Sequence, residues 1–180
     1  AMSATQNSRK ISFVLGGARS GKSLHAETLA KTQHNAPGQL VYLATAQIFD
    51  EEMQTRIDLH RQRRGGEWVL AEAPIDLVDT LRSFDHPNNV VLVDCLSVWV
   101  TNLIIGGHDV ATARNRLIAH LAKSISPLTF VASETGLGIV PDNALSRQFR
   151  DESGRLNQMV AAASDDVFFV TAGIAQKIKP

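Results

Sequence analysis

The chain has 180 residues, 18 basic and 18 acidic side chains, a formal net charge of zero and 44% hydrophobic residues. That size and composition suit one globular domain with a sizeable core and exclude a disordered or fibrous chain. The neutral balance excludes a global field drawing the protein onto nucleic acid or anionic lipid, and no stretch approaches a membrane span, so small-molecule partners are expected.

The opening AMSATQNSRK is polar, lacks the apolar region of a signal peptide and places Ala1 before Met2, as a cloning scar does. Residues 1–10 are therefore expected to be a disordered extension and 11–180 a single domain. The run ISFVL at 11–15 has the pattern of a short buried strand, and GGARSGKS follows it, Gly16 to Ser23. Gly16-x-x-x-x-Gly21-Lys22-Ser23, between a strand pattern and a helical one over 22–34, has the spacing of a P-loop. Glycines at 16, 17 and 21 are expected to adopt φ values closed to other residues, so that the N–H groups of Gly16, Gly17, Ala18, Arg19, Ser20 and Gly21 converge on phosphate at a helix N-terminus. Lys22 adds a full charge near the β- and γ-phosphates, and the Ser23 hydroxyl is placed to ligate Mg2+.

A strand pattern at 40–45 precedes DEEMQTRIDLHRQRRGG at 50–66, where acids open a predicted helix over about 50–64 and Arg61, Arg63 and Arg64 close it before Gly65. Helix stability alone accounts for those charges. Met53, Ile57, His60 and Arg64 also share one helical side, which brings an imidazole and a guanidinium together; a neutral imidazole is a competent nucleophile toward phosphorus. A solvated helix-end histidine fits the same spacing. A weaker strand at 67–72 ends in Glu72, and a helix is expected at about 76–84.

VVLVD at 90–94 is an apolar strand closing in a carboxylate: either a Walker B strand whose Asp94 serves Mg2+, or a strand-end Asp capping the next helix. Cys95, the single cysteine, cannot form an internal disulfide, which fits a reducing cytoplasm, and its position suits a buried inert thiol. Helical patterns follow within 97–105 and at 110–125, then a strand at 128–133, a Gly136-x-Gly138 loop that suits a lid, a substrate wall or a plain connection, a helix at about 144–163 and a strand run DVFFVTAG at 166–173. His25, His34, His86, His108 and His120 show no zinc-site spacing. The alternation predicts an α/β fold, a mainly parallel sheet with helices on both faces and ligands beyond the strands' carboxyl ends.

Taken in order, GGARSGKS, YLATAQIFDEEMQTRIDLHRQRR, EWVLAEAP, VVLVDCLSVWVTNL and the long segment from Ser133 to Ile174 resemble the bifunctional adenosylcobinamide kinase/adenosylcobinamide-phosphate guanylyltransferase family of cobalamin biosynthesis, over roughly residues 11–178. The resemblance implies a RecA-like P-loop domain assembled as a homotrimer. It implies two reactions on a corrinoid: phosphorylation by ATP or GTP, then transfer of GMP from GTP through a guanylyl-histidine, which falls on His60. Nucleotide contacts carried over fall on Gly16 to Ser23, on Ala44, Thr45 and Ala46, on Arg61, Gln62, Arg63 and Arg64, on Glu72 and on Asp94. Gly65 replaces a usual proline, and Ser133-Glu134-Thr135-Gly136 replaces a usual Asn-Glu-Val-Gly. Two other readings are a small-molecule P-loop kinase without covalent intermediate and a GTP-dependent regulatory switch. The switch fits poorly: no Asn-Lys-x-Asp motif occurs, and the lone Asp-x-x-Gly, Asp151 to Gly154, falls in a predicted helix.

Overall fold

A computed structural model of the chain describes residues 9–46 and 66–180, together with Asp58 and Gln62. The expected helix over about 50–64 lies outside the described residues apart from those two. The elements are β1 (Ile11–Gly16), α1 (Lys22–Gln33), β2 (Leu40–Ala44), β3 (Trp68–Glu72), α2 (Leu77–Ser83), β4 (Val90–Asp94), α3 (Leu96–Ile105), α4 (Val110–Lys123), β5 (Leu128–Ser133), α5 (Ala144–Ala163), β6 (Asp166–Thr171) and β7 (Ile174–Lys179).

The strands form one seven-stranded sheet in the order β3-β2-β4-β5-β1-β6-β7, parallel except for β7. β1, β4 and β5 are buried almost throughout, as strands covered on both faces must be, and this is why their sequences are mainly apolar runs, with small buried Ser12 and Thr129 among them, rather than an alternation of apolar and exposed polar residues. One face carries α1, whose Ala26 and Ala30 are small enough to lie directly on Val14, Leu92, Val131 and Val170. The other face is covered by α2 to α5, with Leu77, Leu81, Trp99, Leu103, Leu117, Leu121, Leu156 and Val160 forming the larger core over Phe13, Val93 and Phe130. Asp109 caps α4 by accepting from the Thr112 N–H, and Asn143 caps α5 by accepting from that of Ser146; such caps contribute about 1 kcal/mol each. Among the described residues no helix is long and apolar enough to cross a membrane.

Two expectations change. The last strand stops at Thr171, and Ala172 (φ 51°) and Gly173 (φ 77°) form a two-residue turn of the kind that joins tight hairpins, leading into an edge strand the sequence pattern did not reveal. Arg9 and Lys10, expected in the N-terminal extension, are tied to the sheet and its helices. Arg9 donates to the carbonyls of Leu121 and Ser124, and Lys10 pairs with Asp166 at 2.5 Å.

Candidate active site

The P-loop leaves β1 at its carboxyl end and enters α1 at Lys22. Gly21, at φ 93°, is the N-cap of α1 and offers no side-chain acceptor, so the first N–H groups of the helix face outward without a cap; that arrangement is an anion site. The Lys22 ammonium folds over the loop and donates to the Gly17 carbonyl at 3.1 Å. The three glycines have different jobs, which corrects the expectation of unusual φ at all of them. Only Gly21 takes a positive φ, and Arg19 joins it at φ 52°. Gly16 is required by crowding: a Cβ there would stand 2.4 Å from Ser20 Oγ and 2.8 Å from the Val170 carbonyl. A Cβ on Gly17 would meet open space. Ala18 and Arg19 are exposed, Ser20 is buried, and Ser23 is partly buried in the first turn of α1.

The hairpin turn after β6 holds the loop from behind. The Gly173 N–H donates to the Ser20 carbonyl at 2.7 Å, and the Gly173 Cα lies 3.2 Å from where a Cβ on Gly21 would be.

Along the same edge of the sheet the backbone register aligns Glu72, Ala44 and Asp94. Asp94 does not cap the following helix: Cys95 does, its sulfur accepting from the Val98 N–H, which removes the capping reading of Asp94. Instead the Asp94 carboxylate accepts a hydrogen bond from the Tyr42 hydroxyl. Thr45 is fully buried; its hydroxyl donates to the Cys95 carbonyl and accepts from the Cys95 N–H, while its own carbonyl accepts from Asn102. Ser97 Oγ accepts from the Ser133 N–H at 2.8 Å, and the Glu134 N–H donates to the Gly16 carbonyl at 3.0 Å. These bonds lock the ends of β1, β2, β4 and β5 to one another. Tyr42, Ser97 and Asn102 escaped the sequence reading; the only signal was a hydroxyl or amide inside an otherwise apolar run.

Burial, reinforced by the Asp94 carboxylate, pushes the Cys95 thiol up to about 11, against smaller opposing effects of the Val98 and Ser97 N–H groups and Lys22. The thiol is inert at neutral pH, as its position suggested.

Glu72 is exposed on the edge strand, with β2, β4 and β5 between it and β1; at about 4.8 Å per strand it stands roughly 19 Å from the loop, beyond the reach of a triphosphate held there. Ala46 and Gln62 are partly buried and exposed respectively. His60, Arg61, Arg63 and Arg64 lie outside the described residues. Among the described residues no three His, Cys, Asp or Glu side chains cluster as a metal cage. One carboxylate and one hydroxyl suit Mg2+, which keeps most of its shell for water and phosphate oxygens.

Solved structures of similar fold include the flagellar accessory protein FlaH from Methanocaldococcus jannaschii (TM-score 0.52, 12% identity, covering 94% of this chain and 78% of that one) and a prototypical ATPase from the type III secretion system of pathogenic bacteria (TM-score 0.51, 12% identity, 93% and 56%). They share with this chain a RecA-like P-loop fold. The family model described as cobinamide kinase / cobinamide phosphate guanyltransferase matches residues 12–178. The chain is 40% identical to the bifunctional adenosylcobalamin biosynthesis protein CobU of Escherichia coli K12 and 43% identical to that of Salmonella typhimurium LT2, in each case over 93% of this chain and 98% of the relative. It is 42% identical to CobP of Pseudomonas aeruginosa PAO1, over 93% and 96%. Likeness of that extent sets aside the regulatory-switch reading, and the chain belongs to the cobinamide kinase / cobinamide phosphate guanyltransferase family, enzymes of cobalamin biosynthesis that join a kinase to a nucleotidyltransferase.

Proposed function

We propose that the protein phosphorylates the aminopropanol hydroxyl of adenosylcobinamide with ATP or GTP. It then transfers GMP from GTP to that phosphate, giving adenosylcobinamide-GDP and pyrophosphate through a guanylyl-histidine at His60. The observation that carries this reading is the uncapped start of α1 at Gly21, with Lys22 folded onto the loop, on the same sheet edge as Asp94. Backbone N–H groups from Gly16 to Ser23 hold the phosphates, and Lys22 opposes the charge that builds on the transferring group. Ser23 and Asp94 hold Mg2+, which when bound offsets phosphate charge. Ala44 and Ala46 line the nucleotide beyond the phosphates, while Thr45, fully buried between them, ties that segment to Cys95 and Asn102, and Arg61, Gln62, Arg63 and Arg64 follow the nucleophile in sequence. Glu72, at its distance from the loop, serves the far end of a nucleotide.

In the second reaction neutral His60 attacks the α-phosphorus of GTP, pyrophosphate leaves, and the corrinoid phosphate displaces the imidazole. One difficult meeting of two anions is thereby split into two steps. The enzyme works as a homotrimer in the cytoplasm in this reading.

The test uses GTP labelled on the α-phosphate. Wild-type protein is expected to take up label that is labile to acid and resistant to base, because protonating the imidazole makes it a good leaving group. His60→Ala is expected to take up none while keeping much of the phosphorylation. Equal labelling of both proteins would place the covalent adduct at a residue other than His60, and labelling of neither would leave a P-loop kinase without the covalent intermediate.

A further inference from the structure

We propose that Tyr42 is a positioning residue for the Asp94 carboxylate, and through it for Mg2+ bound with the nucleotide; this rests on the metal role given to Asp94 above. In the parallel pairing of β2 with β4, Tyr42 is opposite Leu92 and Ala44 opposite Asp94. Side chains two apart on a strand share a face, so Leu92, Asp94 and Tyr42 all project to the side covered by α1, the helix that the P-loop begins. The Tyr42 ring is buried and meets Trp68 edge-on, with centroids 6.0 Å apart, so it has little freedom to move. From that fixed ring the hydroxyl reaches two residues along β4 from its partner Leu92 and donates to Asp94 Oδ2.

Among the described residues no other side-chain hydrogen bond reaches that carboxylate. The phenol therefore holds the orientation of the Asp94 carboxylate: it occupies Oδ2 and leaves Oδ1 for the metal. A carboxylate serving a metal gains affinity when an outer partner fixes its orientation, and losing such a partner costs roughly 10- to 100-fold in metal affinity. A tyrosine kept only for packing has no need of its oxygen, and phenylalanine would fill the same space against Trp68.

The experiment measures GTP affinity by equilibrium titration, in Mg2+ and again in EDTA, for wild type, Tyr42→Phe, Asp94→Asn and the double variant. The ratio of the two affinities reports the metal, and the EDTA value reports an intact P-loop. Tyr42→Phe is expected to keep the EDTA affinity and to lose about 10-fold of the tightening by Mg2+. The double variant is expected to lose no more of the tightening than Asp94→Asn alone, because in this proposal the phenol serves the metal through that carboxylate. Wild-type tightening in Tyr42→Phe, equal loss with and without Mg2+, or additive loss in the double variant would overturn the role of Tyr42 alone. Unchanged tightening in Asp94→Asn would overturn the metal role of Asp94 and this proposal together, and would leave the His60 labelling result standing.

Discussion

Lys22 and Gly16 answer different questions about the same loop. The Lys22 ammonium is the one full charge the P-loop motif itself supplies to the phosphates, so Lys22→Ala is expected to lower kcat/KM of both reactions by about 100-fold or more, the usual scale for removing a main electrostatic stabiliser. Loss of one reaction only, in steady-state assays of each, would place the two nucleotides at separate sites. Gly16 matters for space. An added methyl would press on Ser20 Oγ at 2.4 Å, which has some freedom, and on the Val170 carbonyl at 2.8 Å, which as backbone of the neighbouring strand has little. Overpacking of that kind costs about 1–3 kcal/mol, so Gly16→Ala is expected to melt several degrees below wild type, while Gly17→Ala, facing open space, melts with it. From sequence both glycines carry the same expectation of unusual φ; only the coordinates separate them.

At the scale of elements, the hairpin of β6 and β7 is the part of the site that no motif announces. Its turn clasps the P-loop through Gly173 and Ser20, and Gly173 holds φ 77°, where a β-branched side chain is strongly disfavoured. Gly173→Val is expected to weaken GTP binding about 5- to 10-fold, through local strain and a weakened backbone bond to Ser20, with the far-UV circular dichroism of the sheet retained. Unaltered binding would show that the loop stands without its buttress. β7 was illegible because it is an edge strand: IAQKIK exposes Ile174 and Ile178 and carries lysines, so no buried face imposed an alternating pattern. α1 was legible for the opposite reason. It buries only Ala26 and Ala30, too little for an apolar stripe, and was recognised from the motif that starts it.

Across the whole molecule, acid sensitivity follows from buried groups outside the loop itself. His120 sits in a helix that looks polar in sequence, yet it is buried, and its Nε2 has no hydrogen-bond partner among the described residues. Burial lowers its pKa below the ordinary 6.5, more than nearby Asp85 raises it. The folded state thus keeps His120 neutral while the unfolded chain takes up a proton below about 6.5, so this contribution to stability is present above that pH and is lost as pH falls below it. His25, lowered by burial as well, adds to the same slope. Asp85 acts in a lower window. Burial alone would raise its pKa, but the N–H groups of Ser126 and Ile125 and the Ser124 hydroxyl hold it below 3.8, so its contribution is lost only as pH falls through that depressed value. The melting temperature is therefore expected to drop between pH 7 and 5, and His120→Leu to flatten part of that drop, as read by thermal denaturation across buffers.

The sequence by itself determined the α/β class, the P-loop and its glycines, the carboxylate-ended strand at Asp94 and the family, because each depends on local spacing: strand runs buried on both faces, a loop that must open a helix, and an order of motifs along the chain. Tertiary structure decided what depends on residues distant in sequence. The pairing of β2 with β4 sets Tyr42 against Asp94, 52 residues away. Cys95 displaces Asp94 as helix cap, a choice made by backbone direction at the strand end. Gly173 reaches Ser20 only because β6 lies beside β1. Such contacts leave no period in the sequence, since hydrogen bonds between neighbouring strands join positions whose separation is set by the connections between them.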